Sequence, residues 1–104
     1  MGNVLEIIDK TKRKIYLTDK RYSHILKHPE MQNKLEEIRS ALENPLKIVD
    51  LDLDNSIKYY YKHYKNRKSR AKYLRVIVKY LNGNGFVITA YFVVNPWKGK
   101  CRYI

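Results

Sequence analysis

The chain has 104 residues, which is the size of a single domain with one hydrophobic core. Its hydrophobic content of 44% lies near the globular average, so the net charge of +12 does not indicate a disordered chain. No apolar run approaches the roughly 20 residues that span a bilayer, no signal-peptide pattern is visible, and the lone cysteine, Cys101, excludes an internal disulfide. We therefore expect one domain, residues 1–104, in a cytoplasmic protein without a membrane partner.

The N-terminal part of the chain predicts a β-hairpin followed by a helix. Val4–Ile8 and Lys14–Leu17 are β-prone runs separated by a polar stretch, which is typical of a hairpin. Thr18 or Asp19 comes next, and either side chain can cap a helix that begins near Lys20.

A second helix is predicted after Pro29. Proline is favoured at the first position of a helix, so Pro29 either ends the first helix or starts the next one. The apolar residues that follow recur at the spacing of one buried helical stripe, and Asn44-Pro45 ends the helix. The stripe consists of Met31, Leu35, Ile38 and Leu42.

The second half of the chain changes to a period of two, which predicts strands. Asn82-Gly83 is the strongest turn signal, because both residues tolerate the positive φ of a tight hairpin. Asp54-Asn55-Ser56 predicts another turn, and Cys101–Ile104 predicts a short edge strand. The predicted strands are Leu46–Leu53, Ile57–Lys65, Tyr73–Leu81 and Phe86–Val94. The fold class is therefore α+β, with an N-terminal β-hairpin, two α-helices and a four-stranded antiparallel β-meander that the helices cover on one face.

Alternation along the last two strands of this meander predicts which side chains face away from the helices. In Tyr73–Leu81, Arg75 and Lys79 lie on the side opposite the apolar residues. In Phe86–Val94, we expect Phe86, Ile88, Ala90 and Phe92 to face the core and Thr89 and Tyr91 to face outward. The uncovered face is thus predicted to carry cations and hydroxyl groups, and it is where we expect a polyanion.

The net positive charge of the chain comes entirely from its second half. Residues 55–104 contain 12 basic residues and no acidic one, whereas the charges of residues 1–54 cancel. A surface of one sign attracts polyanions, and tyrosines interleaved among the cations can stack on unpaired bases. The candidate RNA-binding residues are Tyr60, Lys62, Arg67, Lys68, Arg70 and Lys72.

The histidines are the first candidates for chemistry. His24 and His28 are four residues apart, so they share one side of the first helix if that helix persists to His28. No third metal ligand is evident near them, and His28 also suits an N-cap before Pro29. Asp50, Asp52 and Asp54 either bind a cation or form a solvated strand face. We therefore expect neither a metal nor another cofactor.

One reaction class fits the residue types that remain. Metal-free RNA cleavage needs a base for the ribose 2′-hydroxyl, an acid for the leaving 5′ oxygen, and fixed donors for the charge that develops on the phosphate. Histidine suits the two proton transfers because its pKa lies near neutrality, and arginine, lysine and hydroxyl groups suit the phosphate.

Several segments also carry a family resemblance. Arg21-Tyr22-Ser23-His24-Ile25-Leu26-Lys27-His28-Pro29-Glu30-Met31 resembles the helix motif of the phage-associated barnase–EndoU–colicin–RelE-like nucleases. Leu42-Glu43-Asn44-Pro45 and the strands Tyr73–Tyr80 and Phe86–Tyr91 agree with it. The chain departs from the family pattern at Lys27, where arginine is usual, and in its Arg102-Tyr103-Ile104 ending. Members of this family resemble metal-independent ribonucleases, including toxins, and share the order of helices and strands predicted above.

The resemblance also implies roles for individual residues. It implies that His24 is an active-site residue of the first helix with His28 beside it. It further implies a basic residue from the central strands and a hydroxyl from the later strand. The residues that fit these roles are Arg75, Lys79, Thr89 and Tyr91, with Tyr60 as a further hydroxyl.

Three functional hypotheses remain open from the sequence. The first is a metal-independent endoribonuclease, acting as a toxin, that cleaves RNA to a 2′,3′-cyclic phosphate. Its partners would be tRNA or mRNA and an acidic antitoxin or immunity protein. The second is a non-catalytic nucleic-acid-binding or regulatory module of the same fold. The third is a protein-interaction module that binds an acidic partner.

Overall fold

A computed structural model describes residues 2–51, 54–95 and 100–103. Among these residues it contains two α-helices, one short 3-10 helix and a single mixed sheet. The helices are α1 (Asp19–Ile25) and α2 (Leu35–Glu43), with the 3-10 helix Pro29–Met31 between them. The strands are β1 (Asn3–Ile8), β2 (Lys14–Thr18), β3 (Lys47–Leu51), β4 (Asp54–His63), β5 (Tyr73–Leu81), β6 (Asn84–Val93) and β7 (Lys100–Tyr103).

The sheet is larger than the predicted meander. Its strand order is β1-β2-β6-β5-β4-β3-β7, so the expected antiparallel neighbours β3 to β6 form only its middle. The N-terminal hairpin joins the same sheet, because β2 pairs in parallel with β6 through Ile15–Gly85 and Tyr16–Phe86. β7 adds an antiparallel strand beside β3. The α+β class is confirmed, but the predicted strand count and order are wrong, because sequence periodicity does not identify which strand edges pair.

The helices cover one face of this sheet. The Thr18 hydroxyl caps α1 by accepting a hydrogen bond from the Arg21 amide at 3.2 Å. We call the sheet face toward the helices the inner face and the opposite one the outer face. Ile25 of α1 and Ile38 and Leu42 of α2 are fully buried against strand residues of the inner face. None of the described helices is long and apolar enough to cross a membrane.

The turn between β5 and β6 is the predicted Asn-Gly hairpin. Asn82 and Gly83 have φ values of 53° and 85°, the left-handed conformation that a two-residue turn requires. The other predicted turn is wrong: Asp54-Asn55-Ser56 lies within β4, because β3 and β4 keep pairing as far as Leu51 and Asp54.

A β-bulge in β6 overturns part of the predicted face assignment. The register passes from Ile77–Thr89 directly to Val78–Val87, so Ile88 is an extra residue with no partner in β5. Upstream of the bulge the alternation is reversed: Val87 is buried, whereas Phe86 is 37% exposed and lies on the outer face. The inward placement of Phe86 was therefore wrong, because one inserted residue exchanges the two faces of a strand.

Candidate functional site

Arg75 lies in the middle of β5 on the outer face. Its strand neighbours across the sheet are Tyr61 on β4 and Tyr91 on β6, so the three side chains form one row. Arg75 Nε donates a hydrogen bond to the Tyr61 hydroxyl at 3.0 Å, and Arg75 Nη1 donates one to the Tyr91 hydroxyl at 3.2 Å. The row thus fixes the plane of the guanidinium from both sides.

Aromatic rings also surround the Arg75 guanidinium. Its central carbon lies 5.0 Å, 5.5 Å and 5.6 Å from the ring centroids of Tyr59, Tyr61 and Tyr91. Burial disfavours the charged form, but the hydrogen bond to Tyr91 and the interaction with Tyr61 outweigh it and raise the pKa of Arg75. The half-buried group is therefore a permanent cation with a fixed orientation, as recognition of a phosphate requires.

His28 reaches this row from the segment between the two helices. α1 ends at Ile25, and Pro29 starts the 3-10 helix, which makes His28 the residue before that helix. The His28 side chain makes no capping hydrogen bond, and its ring lies edge-on to the Tyr91 ring with 5.6 Å between centroids. We call His28, Tyr59, Tyr61, Arg75 and Tyr91 the Arg75 cluster.

His24 lies elsewhere. Because α1 stops at Ile25, the condition for His24 and His28 to share a helical side is not met. His24 is exposed and lines a separate hollow of about 390 Å³ together with Arg21 and Lys27 and with other residues of the same segment. No residue of β5 or β6 lines that hollow.

The remaining predicted catalytic residues lie on the outer face at different distances from the cluster. Thr89 is half-buried and precedes Tyr91 by two residues on the same side of β6. Lys79 lies on the same side of β5 as Arg75 but about 14 Å further along it, at a strand rise of about 3.4 Å per residue. The structure therefore brings Thr89, but not Lys79, next to the Arg75–Tyr91 pair.

Two predicted RNA-binding residues lie on the inner side of the sheet. Tyr60 is fully buried on the inner face, paired in register with Val76, so its ring offers no surface to a base. Lys62 lies on the same side of β4, and its ammonium donates a hydrogen bond to the Asn44 carbonyl at 2.9 Å. These positions do not fit an RNA interface, because strand parity turns both residues away from the outer face.

The other predicted RNA-binding residues lie in the β4–β5 connection, residues 64–72. Lys68 and Arg70 are exposed. Arg67 is half-buried, with its guanidinium 3.6 Å from the centre of the Phe92 ring and its Nε donating to the Ala71 carbonyl at 3.0 Å. The Lys72 ammonium donates to the Arg67 carbonyl. Arg67 and Lys72 therefore shape the connection, and its solvent-exposed cations are Lys65, Lys68 and Arg70.

A buried polar network around the Asp9 carboxylate lies on the inner face of the sheet, opposite the face that carries the Arg75 cluster. The Asp9 carboxylate accepts hydrogen bonds from the hydroxyls of Tyr60 and Tyr80 and from the amides of Thr11 and Arg13. Burial raises the pKa values of Tyr60 and Tyr80, and the Asp9 carboxylate adds to it; for Tyr80 these effects outweigh the hydrogen bond with Tyr60, which lowers its pKa. Asp9 was expected only as part of a polar hairpin connection. The spacing of Asp9 and Thr11, which suits an aspartate-capped turn, is the one local signal of its role.

The acidic residues of β3 and β4 form no metal site among the described positions. Asp50 is 6% exposed and forms an ion pair with Lys58 at 2.5 Å. Asp52 lies outside the described residues. The described part of the chain contains no group of three histidine, cysteine, aspartate or glutamate side chains that could hold a metal ion.

A comparison of the chain with protein-family models, with curated proteins and with solved structures finds no match in any of the three.

Proposed function

We propose that the protein is a metal-independent endoribonuclease whose active site is the Arg75 cluster. The observation that supports it is the contact of the His28 ring with Tyr91, whose hydroxyl accepts a hydrogen bond from Arg75. An imidazole, a phenol and an oriented guanidinium then lie side by side on one face of a cationic domain. These are the groups that metal-free phosphodiester cleavage requires.

Each group takes a separate part in the proposed reaction. His28 removes the proton of the ribose 2′-hydroxyl, and the 2′ oxygen bonds to phosphorus. The bond from phosphorus to the 5′ oxygen breaks, and that oxygen takes the proton of the Tyr91 hydroxyl. The products are a 2′,3′-cyclic phosphate and a free 5′-hydroxyl, and exchange with water restores both residues.

The hydrogen bonding of Tyr91 favours it as the acid. Its oxygen accepts from Arg75, and within the described residues its own proton is donated to no acceptor. A phenolate formed in the reaction would lie beside the Arg75 cation, which stabilises it. The same cation faces the phosphate, and Thr89 on the adjacent part of β6 can hold a phosphate oxygen.

Single-turnover cleavage of a labelled RNA in EDTA tests this assignment. His28→Ala and Tyr91→Phe should each lower the cleavage rate by a factor on the order of 10² to 10⁴ and leave the RNA dissociation constant within about threefold. Tyr91→Phe keeps the ring that contacts His28, so a lower cleavage rate in this variant would report on the missing hydroxyl.

His24→Ala is the matched control, because it removes a histidine from the same segment but outside the cluster. Its cleavage rate should stay within about threefold of the wild type. A loss equal to that of His28→Ala would transfer the site to the α1 hollow and refute the proposed cluster. Intact RNA with the wild-type protein, bound in a salt-sensitive way, would instead favour the non-catalytic nucleic-acid-binding module.

A further inference from the structure

Tyr16, which is half-buried, and Phe86, which is exposed, form an aromatic pair at the junction of the N-terminal hairpin with the meander. Their ring centroids are 5.4 Å apart and their planes differ by 24°, so the rings are stacked. The parallel pairing of β2 with β6 places the two residues opposite each other, and the bulge at Ile88 turns Phe86 outward. Phe86 is 37% exposed, so part of its ring is accessible to a ligand.

The pair is flanked by cations of the same face. The Lys14 ammonium lies 6.0 Å from the centroid of the Tyr16 ring. Lys79 is the register partner of Phe86 on β5. Glu6, the register partner of Tyr16 on β1, shares this face, but Tyr16 and the strand β2 lie between it and Phe86, so the cations Lys14 and Lys79 outnumber it around the pair. Apolar rings between ammonium groups suit a ligand that alternates flat apolar rings with anions, which is the chemistry of a nucleic-acid strand with unpaired bases.

A second stacked pair lies on the other side of the Arg75 cluster. His63 and Tyr73 stack with 4.6 Å between centroids and an interplanar angle of 21°. Tyr73 and Lys79 are six residues apart on β5, so the two aromatic pairs are separated by roughly 20 Å at the rise of a strand. Arg75 lies between them, two residues from Tyr73.

We propose that the Tyr16–Phe86 pair is a base-stacking platform, and that the outer face binds single-stranded RNA along a path from this pair across the Arg75 cluster to His63 and Tyr73. The proposal rests on the proposed function, since it names the substrate of that site as unpaired RNA. A duplex keeps its bases stacked on one another, so it cannot offer them to these rings.

Binding can be measured apart from cleavage with a fluorescein-labelled 2′-O-methyl oligoadenylate, whose blocked 2′ oxygen cannot attack. Phe86→Ala should weaken binding of this probe about tenfold, as expected for the loss of one stacked base. Phe86→Trp should restore it. The matched control is Leu81→Ala, which removes another exposed apolar side chain, 51% exposed, at the end of β5. That variant should bind within about twofold of the wild type.

Two further probes separate stacking from charge. An abasic oligonucleotide of the same length keeps the phosphates, so Phe86→Ala should bind it as the wild type does. Lys14→Ala should weaken binding of both probes and reduce the dependence on salt by about one phosphate contact. A blunt duplex should bind the wild type more weakly than the single strand.

Equal binding of the oligoadenylate by Phe86→Ala and the wild type would overturn the platform, as would equal affinity of the wild type for duplex and single strand. The all-ribose oligonucleotide in EDTA then tests the catalytic proposal separately. If Phe86→Ala binds the oligoadenylate more weakly than the wild type does, but the wild type never cleaves the all-ribose oligonucleotide, the platform stands and the ribonuclease proposal fails. If the wild type cleaves and Phe86→Ala binds normally, the platform alone fails.

Discussion

Asp9, in the turn between the first two strands, accepts a hydrogen bond from the hydroxyl of Tyr60, 51 positions further along the chain. Tyr80 donates to the same carboxylate oxygen at 3.2 Å. Asp9 is 3% exposed, and it also accepts hydrogen bonds from the Thr11 hydroxyl and from the amides of Thr11 and Arg13, which close the hairpin. One buried carboxylate therefore ties the N-terminal hairpin to β4 and β5.

Asp9→Ala should destabilise the fold strongly. The two buried tyrosine hydroxyls stay hydrogen-bonded to each other, but one of them loses its acceptor, and a buried unsatisfied polar group costs about 1–3 kcal/mol. We expect a loss of about 3 kcal/mol in the free energy of unfolding and a fall of roughly 10–20 °C in Tm. Urea and thermal denaturation would measure both. Lys10→Ala, at the exposed neighbour of Asp9 in the same turn, is the control and should change the unfolding free energy by less than about 0.5 kcal/mol. Equal losses in the two variants would contradict this role for Asp9.

Stability should fall at alkaline pH because of the buried tyrosines. The pKa values of Tyr60 and Tyr80 are raised in the folded protein, so folding favours their neutral forms. This contribution is complete below the ordinary tyrosine pKa near 10 and is lost above it, as only the unfolded chain ionises. Tyr60→Phe removes one of the two groups. It should reduce the slope of the unfolding free energy against pH by up to about 1.4 kcal/mol per pH unit above pH 10. Denaturation of the variant and the wild type between pH 8 and about pH 11.5 measures these slopes. Equal slopes would refute the role of Tyr60 in the loss of stability.

Gly85→Ala should destabilise the junction of β2 with β6. A Cβ at Gly85 would lie 2.9 Å from Val78 Cγ1 and 3.0 Å from Ile15 Cγ1 and Tyr80 Cε1, and a β-branched valine in a strand has little freedom to move. We expect a loss of about 1–3 kcal/mol in the free energy of unfolding, typical of overpacking. Gly2→Ala is the control, because nothing lies within 4 Å of its added Cβ. Chemical denaturation of both variants measures the difference. A free energy of unfolding in Gly85→Ala equal to that of the wild type would show that the neighbouring side chains move to make room for the Cβ.

Arg75→Lys should impair cleavage while preserving charge. Lysine has no planar fork with which to hold Tyr61 and Tyr91 at once, so the orientation of Tyr91 toward the substrate would be lost. We expect the single-turnover rate in EDTA to fall on the order of 10²-fold, with the dissociation constant for RNA within about threefold. Arg70→Lys makes the same chemical change at an exposed position of the β4–β5 connection and should leave the rate unchanged. A wild-type rate in Arg75→Lys would mean that only the charge matters.

Local signals in the sequence determined several elements of the fold. The Asn82-Gly83 turn follows from the φ values that these two residues tolerate, and a cap of α1 at Thr18 or Asp19 follows from a side-chain oxygen placed before a helix; in the structure the cap is Thr18. The alternation of buried and half-buried residues along β5 follows from its period of two, and it placed Arg75 on the outer face. Each of these depends on residues close together in the chain, so the sequence by itself was sufficient.

Tertiary structure decided what those signals could not. The bulge at Ile88 exchanges the faces of β6 and exposes Phe86, because it arises from the pairing of two strands rather than from the composition of one. The end of α1 at Ile25 separates His28 from His24 and leaves only His28 in contact with Tyr91. Tyr60 is buried because a carboxylate 51 positions away is available to its hydroxyl. Each of these outcomes depends on contacts between separate elements, so only the packed sheet determines which side chains meet.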